Sequence, residues 1–230
     1  MSNNLEQTCL NYTYNLLKRT GGVTDYKDHD ISESSFDQRK FMHELPNNTI
    51  KIPANIASRL AQVHKLTESM QKEIPFFIFA HDGRNNGNDN EIIIDEIVFS
   101  EEDLNTQSKE AHFGGEIINL LTNKINEHKN DPSFVVIQGH SHPSFQGDIA
   151  NMYSIQDLSN LVFLNKQTNV QFGACVMTPD KKINMCFYDP VARNFYKGTN
   201  FKSIPPKKGA INILEAPLIQ ENNTTYFFHK

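Results

Sequence analysis

Two histidines in the middle of the chain have the spacing and setting of metal ligands. His140 and His142 follow directly after the apolar stretch Phe134–Ile137, and Pro143 comes next. Residues two apart on a strand point to the same side, so both imidazoles can face one ion. Imidazole nitrogen is a common zinc ligand, at about 2.0–2.1 Å from the metal. The pair therefore indicates a metal site at a strand end; two surface or two buried core histidines are the alternative.

A catalytic zinc needs a third protein ligand and one open position for water. Asp157 can supply that ligand, three residues after Ser154 at the expected start of a helix. The same spacing is typical of a capping box, which stabilises the first turn of a helix. The two interpretations are compatible, because a capped helix start holds the carboxylate in one orientation. Asp148, in the loop before Ser154, is the alternative third ligand.

The surrounding pattern predicts helices and strands that can hold these residues. Apolar residues at helical spacing follow Pro53 and predict a helix over residues 53–71. Two apolar, aromatic-rich or β-branched runs on either side of a polar loop predict an antiparallel strand pair. Gly114 and Gly115 precede a second predicted helix, whose expected buried stripe is Ile117, Ile118, Leu120, Leu121 and Ile125. The predicted strands are Pro75–Ala80, Ile92–Phe99, Phe134–Ile137, Val170–Met177 and Ile183–Tyr188.

Composition restricts the classes of function. The chain has 230 residues, a formal net charge of −5 and a pI near 6.0, with no long basic run. Neither nucleic acid nor an anionic membrane is therefore an expected partner. No apolar stretch approaches the ~18 residues of a membrane span, so we expect a soluble, cytoplasmic protein. Its cysteines, Cys9, Cys175 and Cys186, form no C-x-x-C pair. Cys175 and Cys186 lie in apolar stretches and are expected to be buried, inert thiols.

The motif His140-Ser141-His142-Pro143, followed by Ser154-x-x-Asp157 at a helix start, resembles the signature of JAB/MPN (JAMM) metallopeptidases. The order of elements is similar from Ile52 to Tyr188. This resemblance implies an α/β protein with the MPN (cytidine-deaminase-like) fold, a mixed, mostly antiparallel sheet flanked by helices. It implies an MPN domain at residues 51–195, an N-terminal helix and linker at 1–50, and a C-terminal extension at 196–230.

The resemblance also implies a role for each site residue. His140, His142 and Asp157 would bind Zn²⁺, and a water molecule would fill the fourth position. Glu73, between the first predicted helix and the strand that follows it, would act as the general base. Ser154 would donate a hydrogen bond to the oxyanion of the tetrahedral intermediate.

The sequence departs from the family pattern in two places. Eleven residues separate His142 from Ser154, more than the family usually has, and the loop between them carries the excess. Loops accept such insertions at little cost in free energy. The strand after Glu73 has large side chains where the family tends to have small ones. Glu68 is the alternative general base, although it lies inside the predicted helix.

The function implied by the resemblance is hydrolysis of an amide bond in a protein or peptide substrate. The chain would be a zinc metalloprotease or isopeptidase, a hydrolase with the JAMM motif, and a ubiquitin-like conjugate is one substrate class. The alternative is a non-catalytic MPN scaffold or interaction domain, since some members lack zinc. Such members generally lose metal ligands, whereas His140, His142, Ser154 and Asp157 are all present here in order. The sequence does not specify the oligomeric state.

Overall fold

A computed structural model describes residues 8, 12, 13, 15, 35–36, 42–45, 49–83, 91–99, 113–144, 146, 153–198, 200–204, 218–221 and 224–227. Its longer helices are α1 (Ala54–Met70), α2 (Gly115–Glu127) and α3 (Ile155–Gln167). No helix in these ranges has both the length and the apolar character needed to span a bilayer. The strands are β1 (Ser35–Phe36), β2 (His43–Glu44), β3 (Thr49–Pro53), β4 (Pro75–Asp82), β5 (Glu91–Val98), β6 (Phe134–Ser141), β7 (Tyr153–Ser154), β8 (Gln171–Met177), β9 (Ile183–Asp189), β10 (Asn194–Gly198), β11 (Asn200–Ile204), β12 (Leu218–Glu221) and β13 (Thr224–Phe227).

Nine of these strands form one sheet, in the order β11-β3-β5-β4-β6-β8-β9-β10-β2. The pairs β11/β3, β3/β5, β6/β8 and β10/β2 are parallel. The other pairs in the sheet are antiparallel, including the predicted pair β4/β5. Two antiparallel two-stranded ribbons, β1/β7 and β12/β13, complete the described strands. With the ribbons included, six of the ten described strand pairs are antiparallel, and the expectation of an α/β protein with mixed, mostly antiparallel strand pairing is confirmed.

The sheet is wider than the predicted domain of residues 51–195. At one edge β2 joins β10, and at the other β11 pairs with β3 along its whole length. Segments expected to be extensions therefore contribute strands to the same sheet. Two aromatic residues of the C-terminal extension, Tyr226 and Phe227, lie in β13, which pairs with β12.

Helices cover both faces of the sheet, and strand β4 shows how the sequence produces this arrangement. Successive side chains on a strand point to opposite faces. Phe76 and Ile78 contribute to the core that contains the buried side of α1. Phe77 and Phe79 contribute to a second core that contains the buried side of α3. Because both faces are covered, the strand is apolar from Pro75 to Ala80 and shows no polar alternation over these residues.

The prediction for the second helix was correct for its position and for part of its buried stripe. Ile117 is buried, whereas Ile118 and Leu120 are 40% and 37% exposed. Leu121 and Ile125 pack at the margin of the core. Residues 117, 121 and 125 are four apart and share one face of a helix, while 118 and 120 lie on its flanks. The helix buries a narrow stripe, and the wide apolar face expected from the sequence is only partly used.

Helix α1 ends so that the chain can turn back into β4. Gln71 follows the last helical residue in the left-handed conformation, with φ 52°. The backbone N–H of Lys72 then donates to the Thr67 carbonyl at 3.4 Å, which is a helix-terminating contact. Two residues after this turn the chain enters β4 at Pro75, in the centre of the sheet. Glu73 is therefore held between two rigid elements.

Candidate metal centre

The end of β6 carries the two histidines in the centre of the sheet. Strand β6 lies between β4 and β8, so its backbone is hydrogen-bonded on both sides. The backbone N–H of His142, one residue past the strand, donates to the Met177 carbonyl at 2.8 Å and extends the parallel pairing. The Nε2 atoms of His140 and His142 are 2.8 Å apart. The prediction that both imidazoles face the same side is confirmed.

Gly139 is required by the close approach of β4. A Cβ atom at this position would lie 2.2 Å from the ring of Phe76, in a contact that no side chain can make. Phe76 is fully buried in the α1 core and has no free space to move into. The glycine before the first histidine therefore has a packing cause, and it brings β4 close to the histidine pair.

Glu73 lies beside the histidine pair because of the β4/β6 register. That register places Pro75 opposite His140. The Glu73 Oε1 atom is 3.7 Å from His142 Nε2, and the two side chains are only 15% and 8% exposed. One ligating atom from each of Glu73, His140 and His142 lies within 4.8 Å of the other two. These residues form a possible metal-binding triad.

Ser141, between the histidines, points to the opposite face and fixes the strand end to α1. Its Oγ accepts the backbone N–H of Ile74 at 3.0 Å and contacts Thr67 Oγ1. The Thr67 hydroxyl donates to the Val63 carbonyl at 2.9 Å, so the Ser141 hydroxyl donates to Thr67. The N–H of Ser141 in turn donates to the Ile74 carbonyl at 3.1 Å. These bonds join the histidine strand to the residue that follows Glu73.

Asp157 lies on the other side of His140. Its Oδ1 atom is 3.8 Å from His140 Nδ1, the ring nitrogen that does not face His142. Its Oδ2 atom accepts hydrogen bonds from the backbone N–H of Ser154 at 2.8 Å and from the Ser154 hydroxyl at 2.7 Å. The N–H of Asp157 donates back to Ser154 Oγ at 3.1 Å. The predicted capping box is confirmed, and Asp157 is not a member of the 4.8 Å triad.

The loop after the histidines adds two contacts that the sequence did not predict. Gln146 Nε2 donates to Glu73 Oε1 at 2.7 Å, and Gln146 Oε1 is buried with no hydrogen-bond partner among the described residues. Glu68, the alternative base, accepts the backbone N–H of Ser144 at 3.1 Å and its hydroxyl at 2.9 Å. The only sequence signal for the contact between Gln146 and Glu73 is the position of Gln146 soon after the H-x-H-P motif.

Glu68 therefore anchors the loop to α1 in this structure. No described contact joins it to the histidines. Asp148, the alternative third ligand, lies outside the described residues.

Other reactive groups near the histidines are engaged or neutral. Tyr153 borders a narrow cavity beside His140 and Asp157. Its hydroxyl donates to the Asn184 carbonyl at 2.6 Å, and burial raises the pKa of this phenol. Burial also raises the pKa values of the Cys175 and Cys186 thiols, which are therefore neutral at physiological pH. Neither cysteine has the thiolate character of a nucleophile, as the sequence predicted; Cys9 is outside the described residues.

The donor set fits a zinc ion. Two imidazole nitrogens and a carboxylate oxygen converge in a mostly buried corner, and zinc binds this combination. A carboxylate facing the second nitrogen of a ligating histidine is common around such ions, and Asp157 holds that position relative to His140. Glu73 thus lies with the converging nitrogens, whereas Asp157 faces the other ring nitrogen of His140.

No family model matches the chain, and no curated protein matches it at the level of significance required. The interpretation of this site rests on its own residues and geometry.

Proposed function

We propose that this chain is a zinc-dependent peptidase or isopeptidase of the JAMM type, hydrolysing an amide bond in a protein or peptide substrate. The observation that carries the proposal is the convergence of Glu73, His140 and His142 within 4.8 Å at the end of β6. Asp157 lies 3.8 Å from His140 at the start of α3. The sequence motif supplied His140, His142 and Asp157, and the order of elements supplied Glu73. All four lie close together at one end of the central strands.

His140, His142 and Asp157 would hold the metal. A zinc ion bound there would acidify a water molecule and polarise the scissile carbonyl. The carboxylate of Asp157 is positioned by Ser154 and by the first turn of α3. The histidines are positioned by the central strand and by the Ser141 contacts.

Glu73 would move the proton. It would accept a proton from the attacking water and return it to the leaving nitrogen, which departs as an amine. Both steps require a carboxylate near the histidines, and Glu73 Oε1 is 3.7 Å from His142 Nε2. A positioned general base of this kind contributes about 10²–10⁴-fold to the rate.

Ser154 would donate to the oxyanion during the reaction. In this structure its hydroxyl donates to Asp157 Oδ2. That carboxylate oxygen also accepts the backbone N–H of Ser154, so it keeps one hydrogen bond when the hydroxyl turns toward substrate. A single oxyanion donor contributes about 10²–10³-fold to the rate.

The first test is the metal content of the purified chain. After removal of metal with a chelator, titration with Zn²⁺ is expected to show one tightly bound ion per chain. His142→Ala is expected to weaken binding by more than about 100-fold, because it removes a ligand. His43→Ala is the matched control, since His43 is exposed in the edge strand β2. A wild-type chain that binds no zinc would refute the proposal.

Hydrolysis separates the enzyme from the non-catalytic MPN scaffold. The zinc-loaded chain is incubated with ubiquitin-like conjugates and with a peptide library, and new termini are identified by mass spectrometry. The enzyme is expected to release products that Glu73→Gln does not release. Tight zinc binding without any cleavage by the wild-type chain would support the scaffold.

A further inference from the structure

Gln146 makes a contact at the candidate site that the proposed mechanism does not use. Its Nε2 atom donates to Glu73 Oε1 at 2.7 Å. A carboxamide turned the other way would place its oxygen against the carboxylate, which has no proton to donate. The orientation of the side chain is therefore determined by Glu73, and the carbonyl oxygen of Gln146 points away from that contact.

The carbonyl oxygen of Gln146 is buried without a donor among the described residues. A buried acceptor without a hydrogen bond is destabilised by about 1–3 kcal/mol, so most such atoms in folded proteins have a partner. Within one side chain, Gln146 thus combines a donor bound to Glu73 with an acceptor that lacks a donor. An incoming N–H would complete this arrangement once the atoms that cover the oxygen move aside.

The scissile amide of a peptide or isopeptide carries one N–H. Its nitrogen must come close to Glu73, because that carboxylate delivers the proton to the leaving amine under the proposed function. The Gln146 oxygen belongs to the same carboxamide as the Nε2 that contacts Glu73, so it lies close to that carboxylate. A substrate nitrogen that receives this proton therefore comes within reach of the carboxamide whose oxygen lacks a donor.

We propose that Gln146 is a substrate-positioning residue, which orients Glu73 through its Nε2 and accepts the N–H of the scissile amide at its Oε1. This inference rests on the proposed function. It predicts a preference for secondary amides over esters and over N-alkylated amides, which have no N–H to donate. The two roles of Gln146 can be tested separately. Acceptance of the N–H depends on the ligand, whereas the contact with Glu73 does not.

A matched pair of small hydroxamates tests the acceptor without knowledge of the natural substrate. Acetohydroxamic acid and N-methylacetohydroxamic acid both chelate zinc through two oxygens, and only the first carries an N–H. Calorimetry with the zinc-loaded chain is expected to show about 10-fold tighter binding of the N–H compound, the effect of satisfying a buried acceptor. In Gln146→Met, which is similar in length and lacks the carbonyl, the ratio is expected to fall to about one.

Controls distinguish this role from a structural one. Gln62→Met changes an exposed glutamine of α1 and is expected to keep the wild-type ratio. Gln146→Glu keeps an acceptor oxygen but places a carboxylate against Glu73, so it is expected to disturb binding of both compounds. An unchanged ratio in Gln146→Met would overturn the role of Gln146 and leave the zinc site intact. Failure of the wild-type chain to bind either hydroxamate would overturn the proposed function and this inference together.

Discussion

The two sides of the histidine pair use carboxylates in different ways. On one side Glu73 accepts a hydrogen bond from the side chain of Gln146 and lies with both imidazoles in the triad. On the other side Asp157 is held by the backbone and hydroxyl of Ser154 as part of a helix cap. A carboxylate fixed by a helix terminus is suited to a constant task such as binding an ion. One that is fixed by a loop side chain can change partners during a reaction.

The largest effect is expected on the Glu73 side. Glu73→Gln keeps the shape of the side chain and loses the ability to take a proton. We expect kcat to fall by about 10²–10⁴-fold, with zinc affinity within about 10-fold of wild type. Steady-state kinetics on an identified substrate, together with zinc titration, would measure both. Glu116→Gln, at an exposed position in the first turn of α2, is the matched control.

For Asp157→Asn we expect the reverse of the Glu73→Gln result, with the main loss in zinc affinity. Loss of a ligand charge should weaken zinc binding by more than about 100-fold, since even an outer partner of a ligand contributes 10–100-fold. Competition with a chelating dye would measure the affinity. Asp95→Asn is the control, because Asp95 pairs with His81 at 2.9 Å in a more exposed copy of the same contact. If Glu73→Gln costs more zinc affinity than Asp157→Asn, Glu73 is the ligand and Asp157 the outer partner.

Ser154→Ala tests the link between the helix cap and the chemistry. Removal of the cap should lower the free energy of unfolding by about 1 kcal/mol, measured by urea denaturation. Loss of an oxyanion donor should lower kcat by about 100-fold, at a zinc concentration that saturates the variant. Ser154→Asn retains a capping side chain and should restore stability. If Ser154→Ala has the kcat of wild type, Ser154 caps the helix and takes no part in catalysis.

Ser141→Ala is expected to have the smallest effect on the site. Ser141 does not contact Glu73 directly but accepts a hydrogen bond from Ile74, the next residue. The substitution would leave the backbone N–H of Ile74 buried without its acceptor. We expect the free energy of unfolding to fall by about 1–3 kcal/mol, and zinc affinity to change less than in Asp157→Asn. Ser69→Ala, which removes an exposed hydroxyl bond to the backbone of α1, is the control. A stability equal to that of wild type would show that the anchor is dispensable.

Local signals were sufficient for the elements around the site. Residues 53–71 have the periodicity of a helix, and Pro53 directly precedes α1. The run after Glu73 is apolar at every position, because β4 is covered on both faces. The Ser154 and Asp157 spacing predicted a helix start, and the capping box is present. In each case neighbouring residues carry the information, so one sequence is enough.

Long-range features were not predictable in the same way. The parallel pairing of β11 with β3 joins residues about 150 positions apart, and no local pattern encodes such a partner. The contact of Gln146 with Glu73 depends on the path of an irregular loop. The exposure of Ile118 and Leu120 depends on how α2 is oriented against the sheet, which periodicity alone does not determine. These outcomes are properties of tertiary packing.

The parallel pairing at the sheet edges has a consequence for the order of folding. All elements that carry His140, His142, Glu73 and Asp157 are complete in sequence by the end of α3 at Gln167. The edges of the sheet, in contrast, require β10 and β11. These strands pair with β2 and β3, which lie far earlier in the sequence. Pairings between such distant segments form slowly. We therefore expect the centre of the sheet to assemble first, with β3 exposing an unpaired edge until the later strand arrives.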